Sequence, residues 1–167
     1  MSTDLLIMNL RGSSWDYIPD DLWEYIVRGF VSKNCDSFSM DCLSSKEDII
    51  KVEPFIDFQP VCIGVKYYGP YSIPSEVKDP QSYRHSLPAF EFNEYIAQLL
   101  LKVPFGYWNV ENEDTPADEL IFWRDDQEKV LAIPYEGMIY FYELTIEERD
   151  QLVRIDPRIK TNLRSVA

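Results

Sequence analysis

The 167-residue sequence is short of the residues that most often mark an enzyme: one histidine, six glycines and three cysteines. With a single imidazole, any serine or cysteine nucleophile that relies on histidine must use His85, and no G-x-S-x-G elbow accompanies it. The glycines form neither G-x-G-x-x-G nor G-x-x-x-x-G-K, so no nucleotide cradle is expected. There is no C-x-x-C and no H-E-x-x-H, and Cys35 to Cys42 is too wide for a zinc knuckle. The acids Glu111, Glu113, Asp114, Asp118 and Glu119 lack the glycine and terminal glutamate of an EF-hand and read as a solvated loop. These shortages lead to the expectation of no catalytic residues, no cofactor and no metal.

Long apolar runs are missing too. Nowhere do ~18 uncharged apolar residues follow one another, so no membrane span is expected. The opening MSTDLLIMNLRG has Asp4 before its apolar stretch and no basic n-region, which argues against a secretory signal. Cys35, Cys42 and Cys62, odd in number and widely spaced, read as reduced thiols and point to the cytoplasm.

Basic residues are outnumbered, with 16 against 29 acids and a net charge of −13. The imbalance is local. Residues 103–148 hold 12 acids and 2 bases, whereas residues 149–167 hold 2 acids and 5 bases. A field of this sign repels phosphate backbones and anionic lipid, so neither direct nucleic-acid nor membrane binding is expected, while a basic protein would be drawn in.

Against these shortages stands an apolar content of 46%, with 14% aromatic, enough for a buried core. The length fits one domain, residues 1–167, since single cores use roughly 100–200 residues, with a loose basic tail at 158–167. Leu5 to Leu10 reads as a buried central strand, and Pro19 to Phe30 as a helix with Leu22, Trp23, Ile26, Val27 and Phe30 at helical spacing. DSFSMDCL alternates like a strand, and Ser44-x-x-Glu47 offers a capping box for a short helix. Residues 61–69 read as a strand, and 69–88, with its four prolines, as a long loop of functional interest. Phe92, Tyr95, Ile96, Leu99 and Leu100 form a helical stripe, and GYWNV a strand.

Three strand-like runs follow, ELIFW, KVLAI and MIYFYEL, joined by turns too short for parallel crossovers. Thr145 with Glu148 is a capping box that opens a helix to about Ile155, ended by Pro157. The fold class predicted is α+β: an antiparallel sheet containing the C-terminal meander, packed with about three to four helices as a single pair of layers.

The meander is also where the acids and aromatics gather. In its last strand Met138, Tyr140, Tyr142 and Leu144 alternate with Ile139, Phe141 and Glu143, so both faces are apolar. Either both are covered, or one is a contact surface. The second alternative nominates Trp123, Tyr135, Tyr140 and Tyr142 as aromatic contacts rimmed by Asp125, Asp126, Glu128, Glu136 and Glu143. The function this suggests is an acidic protein-binding module, of the kind an immunity protein or antitoxin would be, neutralising a basic toxin such as a nuclease. The rivals are a nucleic-acid mimic inhibiting a DNA-binding protein, a small enzyme using the His85 loop with Tyr83, Arg84, Tyr67 and Tyr68, and a subunit of a larger assembly. The oligomeric state is open.

Overall fold

The computed structural model describes residues 5–9, 18–42, 62–68, 85–102, 105, 117–134 and 137–166. Their chain order is β1 (Leu5–Asn9), helix α1 (Asp20–Ile26), β2 (Ser37–Cys42), β3 (Cys62–Tyr68), β4 (His85–Glu91), α2 (Glu94–Leu101), β5 (Ala117–Arg124), β6 (Gln127–Ile133), β7 (Met138–Phe141), α3 (Ile146–Ile155), α4 (Pro157–Asn162) and β8 (Leu163–Val166). The eight strands form one sheet in the order β3-β4-β2-β5-β6-β7-β1-β8. Every neighbouring pair is antiparallel. The predicted α+β class and the β5-β6-β7 meander are both present. No described helix is long and apolar enough to cross a membrane.

Helix α1 starts after Pro19, with Asp20 and Asp21 in its first turn, where carboxylates favour the positive end of the helix dipole. It does not stop at Phe30. The chain continues through a π-helical segment, Val27–Val31, and a last α-turn, Ser32–Asn34. That widened ladder disturbs the usual i to i−4 bonding, and side chains bond its carbonyls. Ser32 Oγ donates to the Val27 carbonyl, Asn34 Nδ2 to that of Phe30, and Gln151 Nε2, from α3, to that of Gly29. Gly29 has a packing role here: a Cβ added there would lie 3.0 Å from Ile155 Cγ1. The missing side chain lets the π-helical segment and α3 approach closely; a Cβ there would require Ile155 to shift.

Helix α2 begins later than its apolar stripe implies. Asn93 caps it, its side chain accepting from the Ile96 amide at 3.0 Å, so residues up to Glu91 belong to β4 instead. Phe92 is buried ahead of the helix, and Tyr95 points outward at 52% exposure. The expected loop 69–88 is shorter as well, because β4 takes its last four residues, with His85 opposite Tyr68 and Pro88 opposite Val65. A proline is tolerated here because β2 pairs β4 only at Glu91 and Phe90. Pro88 therefore has a ladder partner on one side, as in an edge strand.

At the carboxyl end Pro157 occupies the first turn of α4, capped by Asp156, a position where its missing N–H costs nothing. Strand β8 then pairs with β1. The segment anticipated as a loose tail thus carries a helix and a strand. The Ser44–Glu47 capping box and the GYWNV strand lie outside the described residues.

The sheet has two buried faces. Toward the helices lie Phe38, Met40, Phe90, Leu120, Phe122, Val130, Ala132, Ile139 and Phe141, packed with Trp23, Phe30, Leu100 and Leu152. The rings meet in tilted and edge-on pairs, with Phe92 on Phe122 at 5.7 Å and 89° and Phe30 on Phe141 at 5.3 Å and 84°. These are the geometries that aromatic quadrupoles favour. On the opposite face Ile121, Trp123, Leu131, Ile133 and Tyr142 form a second buried cluster, with Tyr140 packed against it. Adjacent residues of one strand enter different clusters, as period-two alternation requires. The alternation fails after β7, where Glu143 has φ 47°, and Leu144 turns back into the helix-side core.

Candidate functional site

The meander's open end is built by the β5–β6 hairpin and the start of α3. The hairpin turns at Asp125 and Asp126, and Asp125 adopts φ 55°, a left-handed conformation that Asp accepts more readily than most residues. Asp36, following α1, braces this turn. Its carboxylate accepts from the Asp125 amide at 2.6 Å and from Ser37 Oγ at 2.9 Å. Its own backbone bonds the Trp123 carbonyl and the Phe92 amide.

One step into the hairpin the register shifts. Phe122 pairs with Val130 but Trp123 pairs with Glu128, so Lys129 is the extra residue of a β-bulge, a device that re-aims side chains at sheet ends. The Lys129 ammonium, on a side chain 4% exposed, donates to Glu148 Oε2 at 2.6 Å and to the Glu143 carbonyl at 3.1 Å. Arg124 donates to the other oxygen of the same carboxylate. Glu148 closes the capping box as well, accepting from the Thr145 amide at 2.9 Å while Thr145 Oγ1 accepts from the Glu148 amide at 3.1 Å. Burial alone would raise the Glu148 carboxyl, but the hydrogen bonds from Lys129, Thr145 and Arg124 outweigh it and hold the pKa below the ordinary value.

Arg124, Gln127, Glu128, Lys129, Tyr142 and Glu143 line a cavity of about 30 Å³. A single water needs roughly 10–15 Å³ of such space, so this cleft admits solvent or a side-chain tip and no substrate of ordinary size. Around it Asp36, Asp125, Asp126 and Glu143 are exposed and Glu128 is half-buried. Of these acids Glu128 and Glu143 line the cleft itself, while the buried Glu148 carboxylate pairs with both Arg124 and Lys129.

Of the residues nominated from the sequence, Asp125, Asp126, Glu128 and Glu143 come together at this end. Trp123, at 1% exposure, and Tyr142, at 7%, lie within the second buried cluster. Trp123 Nε1 donates to Ser39 Oγ at 3.1 Å inside that layer. Tyr140 is half-buried and stacks on Tyr142, with centroids 6.3 Å apart and planes 11° apart. Burial pushes the Tyr142 phenol upward. Tyr135 and Glu136 lie outside the described residues.

Sequence reasoning missed Lys129 and Arg124, and it valued Glu148 only as a cap. The one local signal for the buried ammonium was a lysine at the head of an apolar run. Cys35 is buried beside this network, and burial pushes its thiol up to about 12, which leaves it protonated and a poor nucleophile at neutral pH. Among the described residues no His, Cys, Asp and Glu cluster is arranged to hold a metal ion. The side chains of Tyr67, Tyr68 and His85, and all of Tyr83 and Arg84, lie outside the description. Comparison of the chain with protein-family models, with curated proteins and with solved structures finds no match.

Proposed function

We propose that this protein binds a basic protein through the acidic end of the β5–β6 hairpin, and that it acts as an inhibitor of that partner, in the manner of an immunity protein or antitoxin facing a basic toxin. The observation that carries the reading is the gathering of Asp36, Asp125, Asp126, Glu128 and Glu143 around one braced turn. A rigid rim in which carboxylates predominate raises encounter rates with a basic surface without paying ordering entropy at each collision. Trp123 and Tyr142 are buried in the layer beneath, and of the described aromatics nominated for contact Tyr140 is the half-buried one. A nucleic-acid mimic would be served better by a surface of carboxylates alone, and Arg124, 44% exposed, stands among these.

The test begins with capture from the native source at low salt and identification of the bound protein by mass spectrometry. The purified partner is then measured against wild type and the D125K/D126K double variant by stopped-flow association. The reading expects association about tenfold slower in the variant, a flatter salt dependence and an unfolding midpoint lowered by no more than the strain a lysine meets at the left-handed position 125. Equal rates at low salt would overturn it.

A further inference from the structure

We propose that Glu148 is an acid-sensitive latch: one carboxylate fastens the first turn of α3 to the β5–β6 hairpin, and its protonation releases that turn and the hairpin end together. The inference does not depend on the binding function above. It rests on how little else holds this corner. Within α3 only Glu148 and Leu152 are buried, while Ile146 is 65% exposed and Glu147, Arg149 and Asp150 face solvent. Gln151 anchors the middle through Asn34 and Gly29, and Ile155 packs at the far end. Leu144 anchors the chain ahead of the cap, but the first turn itself has one buried attachment, and it is a charge.

The groups facing that carboxylate come from every neighbouring element. They are Arg124 from β5, Lys129 from the β6 bulge and the Thr145 amide from its own cap, with Cys35, after the first helix, within reach of the same charges and of Asp36. Glu128 and Glu143 line the adjoining cleft. Once Glu148 takes up a proton, the Lys129 ammonium loses its counter-charge and is left with neutral acceptors, the Glu143 carbonyl and what remains of the Glu148 carboxyl. A buried cation with so little compensation is strongly unfavourable, so the ammonium must reach water. The adjoining cleft, which Lys129 itself lines, is the direction in which it reaches solvent, and turning the ammonium into that cleft separates the bulge from the helix cap. The sign follows from the lowered carboxyl: the contribution of the attachment is fully present above pH 4.5, the ordinary glutamate value, and is lost as pH falls through the lower value the carboxyl has in the fold.

The experiment is hydrogen exchange by mass spectrometry from pH 7 to pH 3, with a parallel ¹³C titration of the glutamate carboxyls. Peptides covering 124–130 and 144–150 are expected to open in one step that follows the Glu148 carboxyl, while the β2 and β5 interior stays protected. In Glu148→Gln the step should vanish, with protection of both segments about a hundredfold lower already at pH 7. Asp150→Asn, altering an exposed neighbour, should keep the wild-type step. Should Glu148→Gln fail to fold, the wild-type titration decides alone. Opening of these segments only with global unfolding, or at a pH unrelated to the Glu148 titration, would overturn the latch, as would a step that survives in Glu148→Gln.

Discussion

The two faces of the meander differ in kind although they alternate along the same strands. The helix side is nearly pure hydrocarbon: Phe38, Leu120, Phe122, Val130, Ile139 and Phe141. The opposite side mixes Trp123, Tyr140 and Tyr142 with the buried hydroxyls of Ser37 and Ser39. Both exclude water; the first buries the Trp23 indole N–H among hydrocarbon, whereas the second must satisfy several polar atoms. The helix-side face depends on volume and shape; the other depends on pairing as well, since a buried polar group left unmatched costs about 1–3 kcal/mol.

The largest effect is expected where volume alone is at stake. Phe122 contacts Phe38, Phe92 and Trp23 at centroid distances of 6.2, 5.7 and 6.1 Å, so Phe122→Ala should lower the free energy of unfolding by about 3–5 kcal/mol, read from urea denaturation. A loss under ~1.5 kcal/mol would mean that the face repacks and is less jigsaw-like than its ring geometry indicates. On the opposite face Trp123→Phe keeps most of the ring but strands the Ser39 hydroxyl, and about 1–3 kcal/mol should be lost. Adding Ser39→Ala to that variant should recover part of it, because a matched apolar pair is preferable to a lone buried hydroxyl. A double-mutant cycle showing no coupling would erase the distinction between the faces.

Much of this was legible in the sequence, for reasons that lie in local chemistry. The meander followed from three apolar runs with short charged turns, and α3 from Thr145 and Glu148 at capping-box spacing. Alternation separated Tyr140 and Tyr142 from Ile139 and Phe141. What alternation cannot supply is the cover on each face, which is why Trp123 and Tyr142 could be read either as contacts or as core. The Glu148 bridge was invisible for a different reason: it requires an unpaired residue at Lys129, and a bulge is set by the pairing of β5 with β6 rather than by either strand alone. Strand β4 was hidden by Pro88, which is tolerated because the described pairing of β4 with β2 ends at Phe90, before reaching it.

The hairpin end sharpens the comparison further, because there the polar face runs out into strained backbone. Asp125 and Glu143 have φ of 55° and 47°, and the two should respond differently to glycine. Aspartate visits this region at modest cost, so Asp125→Gly should leave stability within about 0.5 kcal/mol. Glutamate has no such compensation, and Glu143→Gly should gain roughly 0.5–1 kcal/mol even after the extra chain entropy glycine brings to the unfolded state. The gain should carry a cost in function, because the same change removes a rim carboxylate and should slow association with a basic partner. A variant that is more stable and equally fast would show that Glu143 is tolerated strain without a role. A more stable and slower one would show that the strained position serves the surface rather than the fold.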